Sequence, residues 1–514
     1  MRLVTNRQAT SNAWQRCRVV TGFPNRCRPP GFSRPEGLVR MKISPASRTP
    51  GNSLSDLPGT RGLPLLGNLL QLDVTQLHVI LEEWANVYGP LYTFKIGSRP
   101  VVAIAEAALI HEVLRGRPEM YRRLGSIARV LTEAGVNGVF AAEGASWRRQ
   151  RRMVTQALDI GHLRRFFPTL ARITGRLKSR WDRVACKACA TDVQQDLMRY
   201  TVDVTTNLVL GYDGNTLENE DDVLQRHLEH LLPALNRRIN APVLYWQFVR
   251  LPADRAFDDA LRAIRLLIAD LVAQCEARLK HAQEGYHPTN LLEAMLAARE
   301  QEGAFTREEI VGNALTMLVA GEDTTAHTMA WMIHLITGHQ QVQKRLQQEV
   351  DEVLGQARML EDFEVQERLT FLEAVAHETM RLKSVAPVLF LETNHAVELG
   401  GVHMPEGTAL FLLTRQCGLQ ECAFAMPTEF QPQRWLAGAE LSPGQRTSNA
   451  FMPFGDGPRF CPGRSLALLE IKAVVAMLCR NFYISKAEAA KEVGEHFAFT
   501  MMPTNLVVTL RTRE

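Results

Sequence analysis

Cys461 lies in the stretch Phe451-Met-Pro-Phe-Gly-Asp-Gly-Pro-Arg-Phe-Cys-Pro-Gly-Arg464. Glycines and prolines without a helical period predict a tight loop from Pro453 to Pro458. The apolar run from Ser465 to Cys479 predicts a helix directly after it. A cysteine at the mouth of a helix faces free backbone N–H groups and a positive dipole end, which favour thiolate over thiol. Such a thiolate is a nucleophile, a redox thiol or a metal ligand. No second cysteine is close enough in sequence to resolve a disulfide, and no local histidine offers a base. Gly455, Gly457 and Gly463 would let the backbone approach something flat and large. Loop N–H groups donating to the sulfur would then tune a metal thiolate. The plain alternative is a structural cysteine buried in a glycine-rich turn.

Three other groupings carry chemistry. In Trp147-Arg-Arg-Gln-Arg151-Arg152, Trp147 and Arg151 stand at i and i+4 on one side of a predicted helix. Together they offer N–H donors suited to a carboxylate. Arg148, Arg149 and Arg152 then point outward as a basic docking surface, a solvated face or a nucleic-acid patch; no aromatic-interleaved basic stripe continues elsewhere, which disfavours nucleic acid. Ala320-Gly-Glu-Asp-Thr-Thr325 interrupts a long apolar helix with poor helix formers whose hydroxyls compete for backbone bonds. Glu378 and Arg381, at i and i+3, pair on one helix face.

The string Phe454-x-x-Gly457-x-x-x-Cys461-x-Gly463 is similar to the haem-binding signature of the cytochrome P450 monooxygenases. The Trp-x-x-x-Arg pair, the Ala320–Thr325 stretch, Glu378-x-x-Arg381 and Phe430-Gln-Pro-Gln-Arg-Trp435 resemble further motifs of that family, in family order, from about residue 57 onward. The resemblance implies a mainly α fold with a small β-rich subdomain, a triangular helical prism around a buried haem. Cys461 would be the axial ligand to the iron of haem b, its thiolate pushing electron density that favours O–O cleavage. Trp147, Arg151, Phe454, Arg459 and Gly463 would bind the cofactor, with Arg459 a second propionate partner. Asp323 and Thr324 would occupy the acid and alcohol positions that organise proton delivery. Glu378, Arg381 and Arg434 would form a buried structural triad. Dioxygen would be the co-substrate, NAD(P)H the indirect electron source through a ferredoxin- or flavodoxin-type donor and its reductase, and the substrate apolar. Glu392 stands where the family often carries a basic propionate partner, and Arg415-Gln-Cys-Gly-Leu-Gln replaces a common His-Arg-Asp-Pro stretch. A peroxide-driven peroxygenase and a haem sensor on the same fold are the rival readings.

These residues need elements to hold them. Leu57-Pro-Gly-Thr-Arg-Gly-Leu-Pro-Leu-Leu-Gly67 predicts an extended leading segment. An amphipathic helix is predicted over Leu77 to Tyr88. A hairpin of Leu91–Ile96 and Pro100–Ile104 is predicted to turn at Gly97-Ser98. Thr306-Arg-Glu-Glu309 is a capping box opening a helix to about Thr337, and a second helix runs from Glu367 to Lys383. Residues 160–300 read as packing helices. Met120 to Val136, Val388 to Leu391 and Phe499 to Met502 match positions that line the family's substrate pocket.

Composition bounds the rest. The 514 residues, 46% apolar, suit one large domain from residue 56 to 514. Residues 1–55 carry Arg2, Arg7, Arg16, Arg18, Arg26, Arg28, Arg34 and Arg40 against Glu36 before Asp56, and read as a basic tail or upstream sequence before a start at Met41. A mitochondrial-type presequence is the weaker alternative. A net charge of +4 argues for no charged partner by itself. Nine scattered cysteines fit a reducing compartment, and Cys186-Lys-Ala-Cys189 has no second pair to make a zinc site. No run of about 18 apolar residues spans a membrane. The expectation is a soluble, cytoplasmic, bacterial-type protein with no fused reductase after Glu514.

Overall fold

In the computed structural model the described residues are 53–513, apart from 188, 220–221, 242, 282–286, 303–304, 437–447 and 489–490. The basic segment 1–52, and with it nearly all of the expected tail, lies outside them. The described chain is mainly helical with a small sheet-rich corner, as the sequence predicts.

The corner begins with α1 (Leu77–Tyr88), which buries Leu77, Leu81 and Ala85 on one face. Strands β1 (Leu91–Ile96) and β2 (Arg99–Ile104) form the expected hairpin, Leu91 opposite Ile104 and Ile96 opposite Arg99. Gly97 takes φ 62°, which the tight turn requires. After α2 (Ala107–Arg115), the short β3 (Tyr121–Arg123) joins the same sheet from its far edge. Two later strands, β4 (Leu389–Thr393) and β5 (Ala409–Leu412), fill the middle and give the order β1-β2-β5-β4-β3. β2 and β5 are parallel, and Val101–Ile104 of β2 and all of β5 are buried, which explains their apolar runs.

The helical body is organised on two elements. α3 (Gly144–Ala157) carries the tryptophan and arginines, and α4 (Val193–Leu210) packs along the long α5 (Arg307–Gly338). Thr306 Oγ1 accepts from the Glu309 N–H and Glu309 accepts from the Thr306 N–H, both at 3.1 Å, so the capping box opens α5 as expected. α5 is buried on nearly every face, from Ile310 through Trp331 to Ile336, and is a core helix rather than an amphipathic one. α6 (Thr370–Leu382) follows a short 3-10 turn over Glu364–Arg368 that takes the start of the expected helix. α7 (Arg464–Asn481) follows the cysteine loop, and the hairpin β6 (Gly494–Phe497) and β7 (Met501–Thr504) closes on α5. Among the described residues no helix is long and apolar enough to cross a membrane.

Candidate active site

The cysteine loop is built from glycine geometry and two anchors. Cys461 N–H donates to the Phe454 carbonyl at 2.8 Å, closing the loop just before α7. Gly457 takes φ 68°, and a Cβ there would meet the Leu114 carbonyl at 2.6 Å, so only glycine lets the loop lie against α2. Asp456 accepts from Arg115 Nε at 2.8 Å and pairs with His111 Nδ1 at 2.5 Å, fastening the same contact. On the other side, Glu378 and its arginines hold the preceding segment. Glu378 Oε1 accepts from Arg434 Nε at 2.9 Å and Arg381 Nη2 at 2.8 Å, and its Oε2 from Arg381 Nε at 2.9 Å and Trp435 Nε1 at 2.8 Å. Glu378 and Arg381 are fully buried at the side chain, so this is a core network and not a surface salt bridge.

Cys461 opens onto a cavity of about 400 Å³ between α5, the sheet corner and the loop. Trp147, Arg151, Phe454, Arg459, Gly463 and Thr324 line it with Cys461, so seven of the eight residues singled out in the sequence converge there. Asp323 does not line it; its side chain is buried, and burial pushes its carboxyl up to about 7. Thr324 Oγ1 donates to the Ala320 carbonyl at 2.9 Å, within its own helix. Of the expected pocket segments, Ile127, Leu131, Val136, Val388 to Leu391, Phe499 and Thr500 reach the cavity, whereas Met501 is fully buried in the core.

Two expectations need correcting. The helix mouth does not by itself make Cys461 a thiolate. Burial pushes its thiol up, and the Gly463 N–H and the Arg151 charge only oppose that. A cation at the sulfur would favour the thiolate form. The outward arginines are also not all available for docking, since Arg148 pairs with Glu119 and Arg149 with Glu309.

Glu392, the departure noted in the sequence, is held by Arg99 Nη2 at 2.9 Å and Arg122 Nε at 2.8 Å. The cations facing the cavity from this side are instead Arg117, outside every expected segment, and Arg123, inside the expected Met120 to Val136 segment but not singled out as a carboxylate partner. Two adjacent arginines in a short strand gave a usable signal, because strand neighbours face opposite ways and one of them must point inward. Arg123 lies over the Phe140 ring at 3.5 Å and donates to the Phe140 carbonyl at 3.2 Å.

Arg117, Arg123, Arg151 and Arg459 thus surround one cavity with Glu143 as their acidic neighbour, bonded to Arg459 and 4.0 Å from Arg117. Burial and mutual repulsion push Arg117 down to about 8. Arg117 Nε and Nη2, Arg151 Nη2 and Arg459 Nε are buried without a hydrogen-bond partner. Stranded guanidinium N–H groups are costly, so the site fits a ligand bearing more than one carboxylate. The stacking of Arg459 on Trp147 and Arg151 on Phe460, both at 4.7 Å, holds these donors in place. A flat group with carboxylates at one edge and a metal at its centre, as in haem, suits this donor set and the lone sulfur.

The family model described as Cytochrome P450 matches residues 57–510. The chain is 28% identical over 467 residues to "Cytochrome P450 2W1" of Mus musculus, covering 87% of this chain and 91% of that protein. It is 25% identical over 448 residues to "Protein LUTEIN DEFICIENT 5, chloroplastic" of Arabidopsis thaliana, covering 84% and 74%. It is also 26% identical over 477 residues to a "Bifunctional cytochrome P450/NADPH--P450 reductase" of Gibberella moniliformis, covering 91% of this chain and spanning 41% of that protein's length. With the family match running from the leading segment to the last strand, over a cavity that joins one cysteine to four arginines, the chain belongs to the cytochrome P450 family of haem-dependent, oxygen-incorporating oxidoreductases.

Proposed function

We propose that the domain from residue 56 to 514 is a soluble, cytoplasmic haem-thiolate monooxygenase that hydroxylates or epoxidises an apolar molecule, drawing electrons from a separate ferredoxin- or flavodoxin-type donor. The observation that carries the reading is the convergence of Cys461 with four arginines on one cavity, three of them (Arg117, Arg151 and Arg459) with buried guanidinium nitrogens that make no hydrogen bond. Haem bound there supplies the activation of dioxygen, one atom going to substrate and the other to water.

Cys461 Sγ would hold the metal as thiolate, with the Gly463 N–H and Arg151 lowering the cost of its charge. Arg117, Arg123, Arg151 and Arg459, the last stacked on Trp147, would hold the carboxylates of the group. Phe454 and Gly463 would let it lie close to the loop. Burial disfavours the charge of Asp323 and pushes its carboxyl up to about 7, so it would be available as a proton source near neutral pH. Thr324 has committed its own proton to Ala320, so its oxygen faces the cavity as an acceptor that orients a water. A proton from Asp323, which lies outside the cavity lining, would reach that water through an intervening group or water, as general acid catalysis by positioned groups. The apolar walls, Ile127, Leu131, Val388 and Phe390 among them, exclude bulk water and select an apolar substrate.

Exposed Arg152 and Arg464 support docking of an acidic electron donor on the cysteine side. The test is turnover of the purified haem protein with NAD(P)H and a ferredoxin–ferredoxin reductase pair, a flavodoxin pair, a diflavin reductase, or peroxide alone. Turnover with either small donor supports the proposal. Turnover only with the diflavin enzyme overturns the donor class, only with peroxide the electron route, and none at all the oxygenase reading.

A further inference from the structure

His327 lies one turn beyond Thr324 on α5 and is 2% exposed. Its Nδ1 stands 2.9 Å from Thr500 Oγ1, and its Nε2 is buried with no partner. Burial pushes His327 down to about 4, so the ring is neutral and carries one proton. Two tautomers are available. With the proton on Nε2, an N–H is stranded in the core, the rarest kind of unsatisfied group. With the proton on Nδ1, only an acceptor lone pair goes unused, and Nδ1–H donates to Thr500. The second costs less. It leaves the Thr500 hydroxyl as an acceptor towards His327, with its own proton free to point elsewhere.

Thr500 sits at the tip between β6 and β7 and lines the cavity beside Phe499. The tip is held on both sides. Ala498 N–H donates to the Thr500 carbonyl at 3.0 Å, Met501 N–H to the Val385 carbonyl at 2.8 Å, and Trp331 Nε1 to the Met501 carbonyl at 3.4 Å. The neighbouring cavity walls, Phe390, Phe497, Phe499 and Val388, are apolar. A fixed hydroxyl donor in such walls discriminates strongly, because it must be satisfied by the ligand or left bare.

We propose that His327 is a positioning residue that presents the Thr500 O–H to the cavity, and that the substrate is therefore an apolar molecule carrying an uncharged hydrogen-bond acceptor, a ketone or ester rather than a pure hydrocarbon. This rests on the monooxygenase reading only in taking the cavity as the substrate site. An amine would meet a donor with a donor. A carboxylate would have to leave water for a single neutral hydroxyl.

The test uses the full haem protein and a matched pair of probes, 4-phenylcyclohexanone and phenylcyclohexane, titrated by the optical spin-state shift of the iron. Equilibrium dialysis of the same probes gives occupancy without reliance on the spectrum. Wild type should bind the ketone about five- to tenfold more tightly than the hydrocarbon, the worth of one buried hydrogen bond. Thr500→Val should bind both alike, and Thr500→Ser should keep the preference. His327→Leu should lose it with hydrocarbon affinity unchanged, whereas His327→Gln, whose amide can donate to Thr500, should retain it. Equal binding of the two probes by wild type overturns the proposal. So does a preference that survives in Thr500→Val or in His327→Leu. The reduced carbon-monoxide spectrum of each sample reports thiolate ligation separately, so a failure of the haem-thiolate reading is distinguishable from a failure of this one.

Discussion

Arg434 Nε donates to Glu378 Oε1 at 2.9 Å, joining two residues 56 positions apart at a point where neither touches solvent appreciably. The carboxylate is shared with Arg381 and accepts from the Gln431 N–H as well, at 2.9 Å. It therefore fixes where the chain enters the segment that leads to the cysteine loop. Glu378→Ala should cost about 3–5 kcal/mol, because it leaves two buried guanidinium groups without counter-charge. Little soluble haem protein should be recovered. Normal yield with wild-type Tm and haem content would show that the network is dispensable.

Cys461→Ala should abolish the red-shifted absorption band of the reduced carbon-monoxide complex, which requires thiolate ligation. Removing a half-buried sulfur from the loop leaves the Cys461 backbone bond to Phe454 in place. The fold should survive, and circular dichroism would check this. A variant that keeps the band removes Cys461 as the ligand.

Thr324→Ala deletes one hydroxyl from α5 and substitutes a better helix former, a gain of up to about 0.7 kcal/mol in propensity. Folding, probe binding and iron reduction should persist. Product formed per NAD(P)H should fall several-fold while hydrogen peroxide release rises, because the acceptor that orients water is gone. Wild-type coupling in the variant would reduce Thr324 to a packing residue.

Arg117→Leu separates the empty protein from the loaded one. Arg117 is buried with two unpartnered nitrogens and repelled by Arg123 and Arg459. Without haem, the variant should be more stable in urea by on the order of 1 kcal/mol, since a buried unpaired polar group is removed. With haem, it should release the cofactor roughly tenfold faster to an acceptor apoprotein, the cost of one charge-assisted contact. A variant with unchanged haem release would exclude Arg117 from the carboxylate clamp.

His327 gives the fold an acid limit. Its value in the fold is about 4, against about 6.5 in an unfolded chain. The folded form refuses a proton that the unfolded form accepts, so the contribution is fully present above about pH 6.5 and is lost as pH falls towards 4. For one such group the loss reaches about 3 kcal/mol. The Tm deficit of His327→Gln relative to wild type should therefore be larger at pH 7.5 than at pH 5. An equal deficit at both values would mean the ring titrates normally.

Local signals carried most of the site. The capping box at Thr306 and Glu309, the glycines at 455 and 457 and the spacing of Trp147 to Arg151 each encode a backbone or face preference readable within a few residues. Long-range pairings were not legible. Nothing near Arg117 announces that it ends beside Arg459, and nothing near His327 announces Thr500, 173 positions later. What opposes the thiolate was illegible for a related reason. A helix mouth is a local feature, but the burial that outweighs it at Cys461 comes from the folded surroundings.

The pairing of β3 with β4 sets Arg122 opposite Glu392 and Arg123 opposite Leu391. Charge at the cavity is thus decided by strand parity rather than by composition. A slip of one residue would exchange the two arginines, sending Arg123 to the acid and leaving Arg122 to face the aromatic wall. Inserting or deleting a single residue between Pro118 and Tyr121 would then alter cofactor retention without changing any side chain that touches the cavity. The ladder of backbone bonds between two short strands acts here as an address for a cation, and lengthening that ladder would make the address harder to misread.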